Sequence, residues 1–214
     1  MSAIVLAGFW PYYAGLPAGG APRHWVVHVH GALFTGWLAI LIAQVALVYR
    51  RQVRTHRRAG AFAAAYAAVL LLAGVAVMIV APVEHVRAGE WPVDQAAGFL
   101  VLPIGDLLLF GGFFGAALYS RRVPASHKRL ILLASNALIF PGAARFGEPS
   151  VAMIFGLWFL PIALAMAFDQ FTTGRIHRVY VIGAAVMLVF FARVALMTAE
   201  PWLVIGRAIL QPFL

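Results

Sequence analysis

The 214 residues contain no cysteine, and only seven acids stand against sixteen lysines and arginines. Without cysteine there is no disulfide, no thiolate metal site and no cysteine nucleophile, so any metal or cofactor falls to His, carboxylate or Met. Charge of either sign is scarce at 11%, while 64% of residues are hydrophobic and the mean hydropathy is +0.92. That balance excludes an ordinary water-soluble domain. The chain also lacks a phosphate-cradling glycine loop with lysine, a GxSxG elbow and an HExxH pair, so soluble-style enzyme chemistry has no support. No lysine occurs in the last long apolar run, which leaves a retinal Schiff base nothing to form on.

What is present reads as an all-α, polytopic transmembrane bundle forming one domain over residues 1–214. Apolar runs place seven spans at 1–16, 25–49, 58–82, 96–119, 127–146, 151–170 and 178–198, with 201–214 as an interfacial tail. The first run is short for a span, because about 20 residues are normally needed. Eleven of the sixteen bases lie in the loops RRQVRTHRR, RRVPASHKR and TTGRIHR, whereas EHVRAGEWPVD and FGEPS carry acids. The positive-inside rule puts the basic loops and the amino terminus in the cytoplasm, in a cytoplasmic (inner) membrane. It also accounts for the formal charge of +9, so the expected partner is the lipid bilayer and not nucleic acid. Trp10, Trp25, Trp91 and Trp202 then fall near the outer interface, and Tyr49, Tyr119 and Tyr180 near the inner one.

The basic hairpins share a plan: Thr55-His56-Arg57-Arg58, Ser126-His127-Lys128-Arg129 and Ile176-His177-Arg178. The spacing between their histidines is unequal, so the chain reads as three degenerate hairpin repeats, with Thr55 and Ser126 as candidate helix caps. His56, His127 and His177 at three helix starts either gather an anion such as a lipid phosphate or simply anchor helix ends at the headgroups.

Within the spans, Asp106 lies near mid-membrane, where a bare carboxylate is costly and needs a partner. Arg145 and Arg193 lie 18 and 16 residues past His127 and His177, roughly 24 to 27 Å from the inner face, at a height where either could meet Asp106. Asn136, Gln44 and Trp37 complete this intramembrane polar set, and His30, Trp37 and Gln44 recur every seven residues along one stripe. Pro103, Asn136 and Pro141 are candidate kinks.

His24 and His28, four residues apart, lie toward the outer side, and His85 should match His28 in height across the hairpin. One reading makes His28, His30 and His85 ligands of a haem b, or His24, His28, His85 and Glu84 ligands of a divalent metal. The plain reading makes them boundary histidines with one internal hydrogen bond from His30.

His28-Val29-His30-Gly31, His56-Arg57-Arg58-Ala59-Gly60, Pro103-Ile104-Gly105-Asp106, His127-Lys128-Arg129-Leu130 and Gly174-Arg175-Ile176-His177 together resemble a family of uncharacterised bacterial integral membrane proteins, a domain of unknown function. The resemblance covers most of the chain. It implies a bacterial inner-membrane protein and carries no activity with it. Three functional classes fit the sequence: a haem- or metal-binding protein with a redox or cofactor-handling role, a small-solute carrier or channel using Asp106 and the kinked spans, and a structural subunit of a larger complex or a homo-oligomer.

Overall fold

A computed structural model describes residues 2–15, 24–146 and 150–214; the end of the expected first span at Leu16 and the loop around Pro149 lie outside them. The chain is all-helical, with no strand among the described residues. In order the helices are α1 (Ser2–Gly15), α2 (Trp25–Tyr49), α3 (Val53–Arg87), α4 (Val93–Phe99), α5 (Val101–Tyr119), α6 (Pro124–Ala137), α7 (Phe140–Ala143), α8 (Val151–Thr173), α9 (Arg178–Phe191) and α10 (Glu200–Leu210). A 3-10 segment, Ala192–Thr198, joins α9 to α10.

Among the described residues five helices are long and apolar enough to cross a membrane: α2, α3, α4 with α5 as one run, α8, and α9 with its 3-10 extension. Leucine, valine and alanine facing outward make them so, since lipid and not water is the solvent for those faces. The chain is a multi-pass membrane protein. Two of the seven expected spans differ. α1 has only 14 residues, and the expected span at 127–146 is broken into α6 and the single turn α7. The break follows Asn136 and precedes Pro141, whose ring cannot continue the hydrogen-bond ladder of a preceding turn. α6 is nonetheless well enclosed, with Leu133, Ala134, Asn136 and Ala137 wholly buried.

The start of α3 also differs from expectation. It begins at Val53, so His56 and Arg57 belong to the helix, and it is capped at Gln52 with no side-chain bond, while α6 is capped at Val123. Thr55 and Ser126 therefore do not cap. α10 closes one end of the bundle against α4. Glycines permit this, because a Cβ on Gly98 would stand 2.1 Å from the Met197 carbonyl and one on Gly206 2.6 Å from the Ala97 carbonyl. Trp202 Nε1 donates to the Ala97 carbonyl (3.1 Å), and Arg207 bridges Asp94 (2.7 Å) and Glu200. The bundle thus has a His85 end, covered by α4 and α10, and an Arg129 end formed by the basic loops.

Candidate functional site

The polar groups inside the bundle resolve into two ion pairs and a cavity. The first pair is Asp106 on α5 with Arg193 in the 3-10 segment, both side chains 6% exposed. Arg193 also donates to the Phe190 carbonyl (3.0 Å) and lies over the rings of Phe140 (4.8 Å) and Trp158 (5.5 Å). A helix break and a glycine build this arrangement. The break after α6 carries Phe140 over the guanidinium, and Gly105 leaves the channel through which Arg193 passes, since a Cβ there would be 2.5 Å from Arg193 Cδ. Asn136 and Trp158 brace the pair by reciprocal bonds: Asn136 Nδ2 donates to the Trp158 carbonyl (2.8 Å) and Trp158 Nε1 to the Asn136 carbonyl (3.1 Å).

Arg145 does not join that pair. It donates to the Pro141 carbonyl (2.6 Å), one turn back, and its guanidinium lies 4.6 Å from the Phe9 ring. It does share with Asp106 and His30 the walls of a cavity of about 450 Å³. α1 contributes Val5 and Phe9, α3 Leu70 and Met78, α5 Leu102 and Phe110, and the break Phe140 and Pro141, so the lining is chiefly apolar. Glu84 and His85 stand at its α3 end.

The histidines separate into individual local roles. His24 is not part of α2: its backbone is extended and its Nδ1 accepts the Val26 N–H (3.3 Å), while its own N–H donates to Glu84 (3.0 Å). A carboxylate at a helix start is favourably placed against the helix dipole. His28 is on the exposed face of α2. His85 bonds Glu90 and stacks on Trp91, the rings 4.2 Å apart and 9° from parallel. Among the described residues no group of three or more His, Asp or Glu gathers at metal-holding distances. The site expected from His24, His28, His85 and Glu84 is thus not assembled as a group, and Glu84 accepts the His24 N–H instead.

The second ion pair was not singled out by sequence. At the Arg129 end, Arg129 Nε and Nη2 grip Asp169 (2.8 and 2.5 Å), Arg129 lies 5.5 Å from the Tyr180 ring, and Asp169 also accepts the His177 N–H (3.2 Å). Tyr180 is buried, whereas Tyr49 and Tyr119 are exposed. His177 caps α9 by accepting the Val179 N–H (3.2 Å). Burial, then the neighbouring Arg129 charge, holds its ring below the usual histidine range despite the opposing pull of Asp169. His127 donates to the Ala117 carbonyl (2.8 Å) and so ties α6 to α5. The signal for Asp169 was present: it is a lone carboxylate in the last turn of an apolar helix, beside a basic loop.

Compared with protein-family models, curated proteins and solved structures, the chain matches none of them.

Proposed function

We propose that this chain is a cytoplasmic-membrane protein that binds an acyl-chain amphiphile with an acidic head in the cavity between α1, α2, α3, α5 and the α6–α7 break. The cavity itself carries this reading. Its volume of about 450 Å³ falls in the range of small-molecule sites, its walls are chiefly apolar, and its polar groups are few. Arg145 is a cation in those walls, and a guanidinium is suited to a carboxylate or phosphate head, while Asp106 and Glu84, the carboxylates beside it, bond Arg193 and the His24 N–H. The haem or metal reading has less support, since its ligand set is dispersed.

The kinship with a bacterial family of unknown function belongs to the same proposal. What supports it is that its motifs coincide with packed contacts: His30-Gly31 at the cavity, Gly105-Asp106 at the first pair, Arg129 at the second. The proposed orientation sets the Arg129 end in the cytoplasm and the cavity in the outer half. Single cysteines at positions 54 and 89 test this in a chain that has none. An impermeant maleimide added to intact cells should label position 89 and spare position 54, and labelling of 54 alone would invert the threading.

The ligand reading is tested by thermal unfolding in maltoside micelles with added dodecanoate or dodecanol. Ligand at 100 times its dissociation constant stabilises by about 2.7 kcal/mol. Dodecanoate should raise the unfolding temperature more than the alcohol does. Val77→Trp, which fills the cavity, should remove the response and Arg145→Gln should remove the preference for the acid. Equal responses in the Val77→Trp variant and the wild type would discard the proposal.

A further inference from the structure

Seven buried side-chain polar atoms among the described residues have no partner within the chain, and four of them fall in one line. These are His30 Nδ1, Trp37 Nε1 and Gln44 Oε1 on α2 and His56 Nδ1 at the start of α3. The three α2 residues are seven apart, so they share one face and cover roughly 21 Å of helix rise. At one end His30 lines the cavity. At the other, the His56 ring approaches the Gln44 backbone and faces His127 and Arg57. The remaining three atoms, on Ser135, Asn136 and Arg193, surround the α6–α7 break and the first ion pair.

Lipid cannot satisfy such groups, and an isolated one is selected against in a bilayer. Buried water satisfies them, and in proteins it typically bridges polar atoms left open in this way. Midway along the line, Trp37 stands edge-on to Phe110 and Phe114, with ring centres 5.2 and 5.4 Å apart. Phe110 is also a cavity wall. Trp37 therefore divides the line into a cavity side, with His30, and an Arg129-end side, with Gln44 and His56, while offering its indole N–H between them.

We propose that this face of α2 is a proton path. Water held by His30, Trp37, Gln44 and His56 forms a hydrogen-bonded file from the cavity to the Arg129 end, with the Trp37 indole as its narrowest point. A proton joins the file at one end, hydrogen bonds along it exchange in turn, and a proton leaves at the other. The net change is one proton moved down its gradient, so no group keeps a charge and no co-reactant is consumed. Metal cations find no carboxylate along the line, because Asp106 is tied to Arg193 on another wall. The charged and titratable groups around the ends are Arg145, Asp106, Glu84 and His85 with His30 in the cavity, and Arg57 and His127 beside His56. The path does not depend on what the cavity binds.

The test uses the whole chain in liposomes with a trapped pH dye, a potassium gradient and valinomycin. Proton entry should exceed that of protein-free vesicles by about tenfold or more, while a sodium dye stays silent. His30→Phe, Gln44→Leu and Trp37→Phe, which keeps an aromatic ring but removes the indole N–H, should each bring proton entry down about tenfold, with thermal unfolding unchanged in the first two. Flux equal to empty vesicles, or variants conducting like the wild type, would overturn the path. Hydrogen exchange reads hydration without any variant: the Trp37 indole N–H should exchange into D2O within minutes, and protection lasting days would overturn it equally.

Discussion

Asp106→Asn is expected to destabilise the bundle by about 3 to 5 kcal/mol, measured as unfolding by SDS in mixed micelles, because it leaves Arg193 charged and buried with no counter-charge. Asparagine keeps the size and an acceptor oxygen, so the variant removes charge and little else. The double variant Asp106→Asn with Arg193→Met should recover part of that loss, since a missing pair costs less than a stranded charge. A single variant as stable as wild type would mean that the pair contributes nothing and that its aromatic surround, Phe140 and Trp158, holds Arg193 unaided.

The second large effect belongs to the opposite end. Asp169→Asn should cost about 1.5 to 3 kcal/mol, the usual range for hydrogen bonds to a charged group, because Asp169 serves both Arg129 and the His177 N–H. The same cluster sets a pH response. His177 has its folded pKa depressed below the ordinary 6.5 by burial and by Arg129, so its neutral ring contributes stability that is present above pH 6.5 and lost as pH falls through the folded value. Unfolding temperature should fall on acidification below that point. His177→Asn, which still caps a helix but does not titrate, should flatten this fall. A slope unchanged by that substitution would remove His177 as its source.

How much of this was legible in the sequence depended on whether the backbone was regular. Helical rise placed Asp106 and Arg193 at one height, and they do meet, although Arg193 lies in a 3-10 segment that apolar periodicity does not reveal. The same arithmetic placed Arg145 at that height. It failed for contact because the α6–α7 break carries Arg145 to Pro141 and Phe9 instead. His24 and His28 looked like neighbours on one helical face. The four-residue rule requires both to be helical, and His24 is an extended cap. Asp169 escaped notice because a carboxylate near a loop reads as solvated, and only the fold shows Arg129 reaching it from 40 residues away. The stripe of His30, Trp37 and Gln44 was plain from its seven-residue spacing. That its polar atoms lack partners could come only from the packing of α3 and α5 around it.

An acyl chain held in the α1–α2–α3–α5 cavity would lie against residues that photochemistry can mark. The most direct test of that placement is photolysis of a diazirine-bearing fatty acid bound to the reconstituted protein, with adducts located by peptide mass spectrometry. Adducts should form on cavity residues, Phe34 and Leu70 among them, be suppressed by excess dodecanoate and be absent in Val77→Trp. Adducts confined to lipid-facing residues such as Ile42 and Leu72, indifferent to competitor, would contradict it.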